Sequence, residues 1–194
     1  MIGESLSRKG CMMNVNESLR AAARAGDIAE LNALLFDPEC DALSKGLGGW
    51  TALMCAACDG YEEAVRILLP MSDAATKDNN GVTALMYASC FGHVACVSLL
   101  LPVSDVLAKT DTGLTALMMA AANGCEACVR LLLPISDLLD QDNKGMTASD
   151  LARSTRYENT AQFIEAYVLS QSEHTSIGVA VGPEVAPKKS GLRV

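Results

Sequence analysis

The tetrapeptide Thr-Ala-Leu-Met begins at Thr51, Thr83 and Thr115, each 32 residues after the last, and a degenerate copy, Thr-Ala-Ser-Asp, begins at Thr147. A fixed period of that length marks one supersecondary unit stacked on copies of itself. Such a stack has no central pocket on which catalytic groups converge; it offers a long surface. The repeat therefore constrains function as well as fold, away from catalysis and toward holding another macromolecule.

Aligned, the copies open with Gly49, Gly81, Gly113 and Gly145. A glycine fixed at that column fits a tight turn needing positive φ. Two residues on, Thr51, Thr83, Thr115 and Thr147 can each cap a helix amide, an interaction whose loss typically costs about 1 kcal/mol. Behind each cap the run Ala-Leu-Met-x-Ala-(Ala/Ser) places small residues where a neighbouring helix must approach, and Gly60, Gly92 and Gly124 close this short helix. A second pattern follows at i, i+3, i+4 spacing: Val65, Leu68, Leu69; Val97, Leu100, Leu101; Val129, Leu132, Leu133. That is the buried stripe of an amphipathic helix. Pro70, Pro102 and Pro134 stop it, and a polar run leads into the next glycine. One unit is thus helix, turn, antiparallel helix and finger-like turn. No unit can bury its own apolar side, so stacking supplies the core.

These columns spell G-x-T-A-L-M-x-A-A-x-x-G-x-x-x-x-V-x-x-L-L. The pattern resembles the ankyrin repeat, G-x-T-P-L-H-x-A-A-x-x-G-H, over roughly residues 15 to 168. Alanine stands for the usual proline and methionine for the usual histidine, so the hydrogen-bond network of that histidine is not expected. The period is also one residue short. The spelling is similar to that of ankyrin-rich proteins of some parasitic protists. The resemblance implies an all-α solenoid of about five stacked helix-turn-helix units (15–48, 49–80, 81–112, 113–144, 145–168) with β-turn or hairpin-like fingers.

The first and last units read as caps. The stretch from Asn16 to Gly26, followed by Ile28, Leu31, Leu34 and Leu35, lacks the Thr-Ala-Leu-Met spelling and carries Arg20 and Arg24, which suit one wet face. Asn16 is its candidate cap, and residues 36–48 are its finger loop. At the far end Ser149, Asp150, Arg153 and Arg156 replace apolar or small residues, while Phe163, Ile164 and Tyr167 keep an apolar stripe. Residues 1–14 read as a flexible segment and 169–194 as a disordered tail, in which Lys188-Lys189 is too short for a nuclear import signal.

Charge and cysteine usage exclude several classes. The net charge of −8 opposes phosphate binding and argues against nucleic acid as a direct ligand. No start typical of a signal peptide is present, Ile2 does not fit myristoylation, and no apolar stretch approaches the ~20 residues of a membrane helix. With unpaired-looking cysteines, a reducing, cytoplasmic location is expected and membranes are not. The Cys-x-x-Cys pairs Cys55/Cys58 and Cys125/Cys128 resemble half of a zinc site. Their columns argue for packing instead: Cys58 and Cys90 align with Ala122, and Cys96 and Cys128 with Ala64. His93 occupies the family's Gly-His position and His174 lies in the tail; neither has a catalytic partner at a familiar spacing. Asp78, Asp111 and Asp142 recur near finger tips as turn residues. No catalytic residue, metal ligand or cofactor is expected.

In the family, partners dock on the inner surface made by fingers and leading helices. Carried over position by position, this implicates finger residues Asn79, Asn80, Thr110, Thr112, Asn143 and Lys144. The column between glycine and threonine adds Trp50, Val82, Leu114 and Met146, and the end of the leading helix adds Asp59, Cys90, Phe91 and Asn123. The apolar column either braces the fingers or forms a binding strip anchored by Trp50 and Phe91. The function expected is a non-catalytic adaptor or scaffold for a protein partner. The alternatives are a regulatory or targeting subunit that positions or inhibits an enzyme such as a kinase, and a thiol sensor. A monomer is the expected state.

Overall fold

A computed structural model describes residues 14–177, with side chains through residue 171. Residues 1–13 and 178–194 lie outside that range, and with them most of the N-terminal segment, most of the tail and Lys188-Lys189. The described chain forms helical hairpins. Leading helices are α1 (Val15–Ala25), α3 (Ala52–Asp59), α5 (Ala84–Cys90), α7 (Ala116–Ala122) and α9 (Ala148–Ser154); trailing helices are α2 (Ile28–Leu35), α4 (Glu62–Leu68), α6 (Val94–Leu100), α8 (Glu126–Leu132) and α10 (Glu158–Ile177). Leading helices pack in the order α1, α3, α5, α7, α9, and trailing helices likewise, so successive hairpins lie side by side as one two-layered stack.

The periodic residues account for this arrangement. Thr51, Thr83, Thr115 and Thr147 each accept the amide three residues on, from Met54, Met86, Met118 and Asp150, at 3.3–3.4 Å. In one unit Met86 Sδ also accepts the Thr83 amide at 3.4 Å, so methionine takes up a backbone donor there. The finger glycines Gly49, Gly81, Gly113 and Gly145 hold φ between 77° and 83°, the conformation their column predicts. Leu53, Leu68, Leu85, Leu100, Leu117 and Leu132 are fully buried in one continuous cluster running from Leu19 to Ile164. Each contributes about 1.5–3 kcal/mol of burial. Ala56, Ala88, Ala120 and Ala152 are closed off from solvent where leading helices meet, as close approach requires.

Three local expectations need correction. The cap of α1 is Asn14, whose Oδ1 accepts the Asn16 amide, while Asn16 Oδ1 reaches across to the Asp41 amide at 2.7 Å and ties the first finger loop to its helix. The prolines do not end the trailing helices directly. The α-helix closes two residues earlier, and Pro70, Pro102 and Pro134 sit inside a 3-10 turn, near its start, where proline's missing N–H is tolerated. Finally, α10 runs on to Ile177, beyond the point where the repeat pattern stops. Arg153 on α9 bonds Glu165 at 2.6 Å and the Arg130 guanidinium on α8 lies 4.0 Å from the Phe163 ring centre, fastening α10 to its own leading helix and to the unit before it.

Candidate interaction surface

The fingers are held by one residue per turn and by bonds from each finger to the next. Asp78 Oδ1 accepts the amides of Asn80 and Val82, and Asp142 Oδ1 those of Lys144 and Met146, all at 2.8–2.9 Å. In the unit between them Thr110 Oγ1 accepts the Leu114 amide at 3.0 Å. The turn residue there is therefore Thr110; Asp111 lies one column later, with Asn79 and Asn143. Between fingers, the amides of Asn79, Asp111 and Asn143 donate to the carbonyls of Gly48, Asn80 and Thr112 at 2.9–3.1 Å. A lysine ladder reinforces them: Lys45 Nζ donates to the Lys77 carbonyl and Lys77 Nζ to the Lys109 carbonyl, each at 2.8 Å, and Lys109 pairs with Asp140. The fingers thus share one register.

On this frame the sequence-implicated residues divide. Trp50 is half-buried; its ring lies 4.3 Å from that of Tyr87, tilted by 39°, and 5.6 Å from the Arg24 guanidinium. The Tyr87 hydroxyl donates to Asp78 Oδ2 at 2.7 Å; burial, with this bond and the carboxylate charge, raises its pKa well above the ordinary value. Beside Trp50 a recess of about 310 Å³ is lined by Glu17, Arg20, Ala21, Arg24 and Leu47. Neither arginine is ion-paired among the described residues; Arg20 Nη1 donates to the Ser44 carbonyl and Arg24 Nη2 to Cys55 Sγ.

Val82 is buried, with its amide bound to Asp78, so this member of the apolar column braces the finger and offers no docking surface. Leu114 and Met146 are half-buried. Phe91 is 56% exposed, with His93 as its stacked neighbour at 6.4 Å. Asp59, Asn79, Asn80, Thr112 and Lys144 are exposed. Asn123 Nδ2 is engaged with Cys90 Sγ and the Met119 carbonyl, and Asn143 Nδ2 with the Asp111 carbonyl, so these two amides also join units together. Sequence reasoning missed Tyr87 and Arg24 as parts of the Trp50 cluster. The available signal was their columns, which hold Cys55, Tyr87, Met119, Leu151 and Arg24, Cys58, Cys90, Ala122: inner-face positions that the repeat leaves free.

Cys55, Cys96 and Cys128 are wholly buried. Burial pushes the thiols of Cys96 and Cys128 up to about 11, and burial together with Asp59 does the same for Cys58. Neutral thiols of this kind are poor nucleophiles, as packing residues are. Among the described residues no three His, Cys, Asp or Glu side chains converge as a metal site, and no helix is long and apolar enough to cross a membrane.

A family model described as ankyrin repeats (3 copies) matches residues 19–110 and again 102–168. The chain belongs to the ankyrin-repeat family. Helical hairpins stacked in register, with fingers turned by the glycine column, are the architecture the family name denotes, and this ankyrin array keeps it with alanine and methionine in place of proline and histidine. Ankyrin repeats are generally protein–protein interaction modules and typically non-catalytic. No curated protein matches the chain at a significant level.

Proposed function

We propose that the array is a non-catalytic adaptor or scaffold that holds a protein partner along its inner, finger-bearing surface. The observation that carries this reading is the cluster of Trp50, Tyr87 and Arg24 beside an open recess in which Arg20 and Arg24 form no ion pair among the described residues, although Glu17 stands on the same wall. A tryptophan held on one side by another ring and flanked by arginine combines the residue types that dominate interface energetics. A partner segment carrying an apolar side chain next to a carboxylate would satisfy both halves of the recess. Phe91 extends the same strip as an exposed aromatic.

The test is crosslinking and affinity recovery of the native partner with Trp50→Ala, Phe91→Ala and Arg24→Gln, each first shown to keep the helical spectrum of the parent. Recovery of the same partner should fall about tenfold or more for Trp50→Ala. Unchanged recovery with all three would remove the inner surface from consideration.

A further inference from the structure

A second row of side chains follows the edge where trailing helices pass into fingers. Leu43, Leu107 and Leu139 share one column, with Ala75 in the remaining unit, and each leucine is more than half exposed, Leu139 at 73%. Met71, Val103 and Ile135, four residues earlier in their units, form a parallel column about half exposed. Between the two columns stand Asp41, Asp73, Asp105 and Asp137. One oxygen of each accepts the amide two residues on at 2.9–3.0 Å, which fixes the carboxylate at the same place in every unit. Over residues 36–45, 70–77, 102–109 and 134–141, seven carboxylates stand against three lysines, and those lysines are the ones tied to the next finger. At Leu139 the row opens into a groove of about 320 Å³ lined by Leu138, Leu139, Val168, Leu169 and Glu165.

We propose that this edge is a second docking surface, for an amphipathic helix of a protein partner whose apolar face is flanked by lysine or arginine. The spacing selects the helix. Packed helices lie about 8–10 Å apart, so every unit presents its carboxylate, and three of the four a leucine with Ala75 between them, at about that interval. Seven residues of α-helix advance about 10.5 Å and return nearly the same face, whereas a strand repeats a face about every 6.8 Å and falls out of step. The four-unit row matches a helix of about 20 residues. The carboxylates select basic flanks and repel anionic lipid or nucleic acid, and the net charge of −8 strengthens attraction at long range. This surface is independent of the Trp50 recess.

The full chain would be titrated with a fluorescent synthetic 22-residue heptad peptide carrying a leucine face flanked by lysines, and with its glutamate-flanked counterpart. Two edge variants serve as the comparison. Asp73→Asn/Asp105→Asn/Asp137→Asn keeps the turn-accepting oxygen and removes the charge; Leu107→Ser/Leu139→Ser removes the apolar row. Anisotropy should show binding of the lysine peptide that weakens with salt, falls about tenfold or more in each edge variant, and is unchanged in Trp50→Ala. The glutamate peptide should not bind. Should the leucine variant lose its helical spectrum, the asparagine set alone decides. No binding to the parent chain, equal binding to the edge variants, or loss only in Trp50→Ala would each overturn the proposal, the last without touching the inner surface as a binding site.

Discussion

Gly60 sits at a joint between units where space and backbone conformation both demand glycine. Its φ is +78°, and a Cβ built there would lie 2.3 Å from His93 Nδ1 and 2.7 Å from His93 Cγ. The ring cannot swing aside freely, because His93 Nε2–H donates to the Cys58 carbonyl at 2.9 Å. One unit along, Gly92 has φ +75° but is covered by Cys125 Sγ, 3.1 Å from the same imagined atom. Alanine at either site meets left-handed strain of about 1–2 kcal/mol, offset by about 0.4–1 kcal/mol from a stiffer unfolded chain. Only Gly60→Ala must also displace a fixed ring, and overpacking of that kind adds about 1–3 kcal/mol. In urea denaturation followed by circular dichroism, Gly60→Ala should therefore be less stable than Gly92→Ala by about 1–3 kcal/mol. His93→Ala should absorb most of that difference, so that the double variant costs less than the sum of its parts. Arg156 occupies the same column in the last described unit with φ +70°, where no further unit among the described residues covers it; Arg156→Gly should gain about 1 kcal/mol. Equal losses at Gly60 and Gly92, or an additive double variant, would refute the account of the joint.

Two further expectations concern buried polar and titratable groups. Ser72, Ser104 and Ser136 share one column, and their hydroxyl oxygens are buried without a hydrogen-bond partner among the described residues. Each Ser→Ala should leave the urea midpoint unchanged or raised, and a loss above about 1 kcal/mol per site would show the hydroxyl to be bonded. Cys96 and Cys128 keep their protons to about 11 in the fold, against 9.0 for the free thiol. Their contribution is complete below pH 9 and is lost as the pH climbs through 11, at no more than about 1.4 kcal/mol per pH unit and thiol. Cys96→Ala and Cys128→Ala should flatten the fall in stability over that window; identical slopes would refute it.

The fold was legible because the same features recur in register. Glycine, threonine cap, small-residue run and leucine stripe each predict one local conformation, and the copies agree. Details set by contacts between units were less legible. Asn14 caps α1 while Asn16 accepts the Asp41 amide, a long-range bond that no local pattern encodes. Val82 resembles its column-mates in the sequence, yet it is buried with its amide bound to Asp78, whereas Trp50 stays half-exposed and rests on Tyr87. Asp111 matches Asp78 in residue type but stands one column later, and counting back from glycine gives Thr110 as the turn residue. The edge columns of leucine and aspartate were present in the alignment, but only their exposure distinguishes a surface from a brace.

The lysine ladder carries a consequence for the size of the molecule. Lys45, Lys77 and Lys109 each reach one finger ahead and bond a main-chain carbonyl, an acceptor that every residue type supplies. The rung consequently makes no demand on the identity of the following unit. Because Lys77 and Lys109 are equivalent donors, excising residues 81–112 leaves a lysine facing the same carbonyl as before. At this rung a module can be gained or dropped without a change of acceptor, whereas joints such as His93 over Gly60 and Asn123 on Cys90 stay specific to their neighbours.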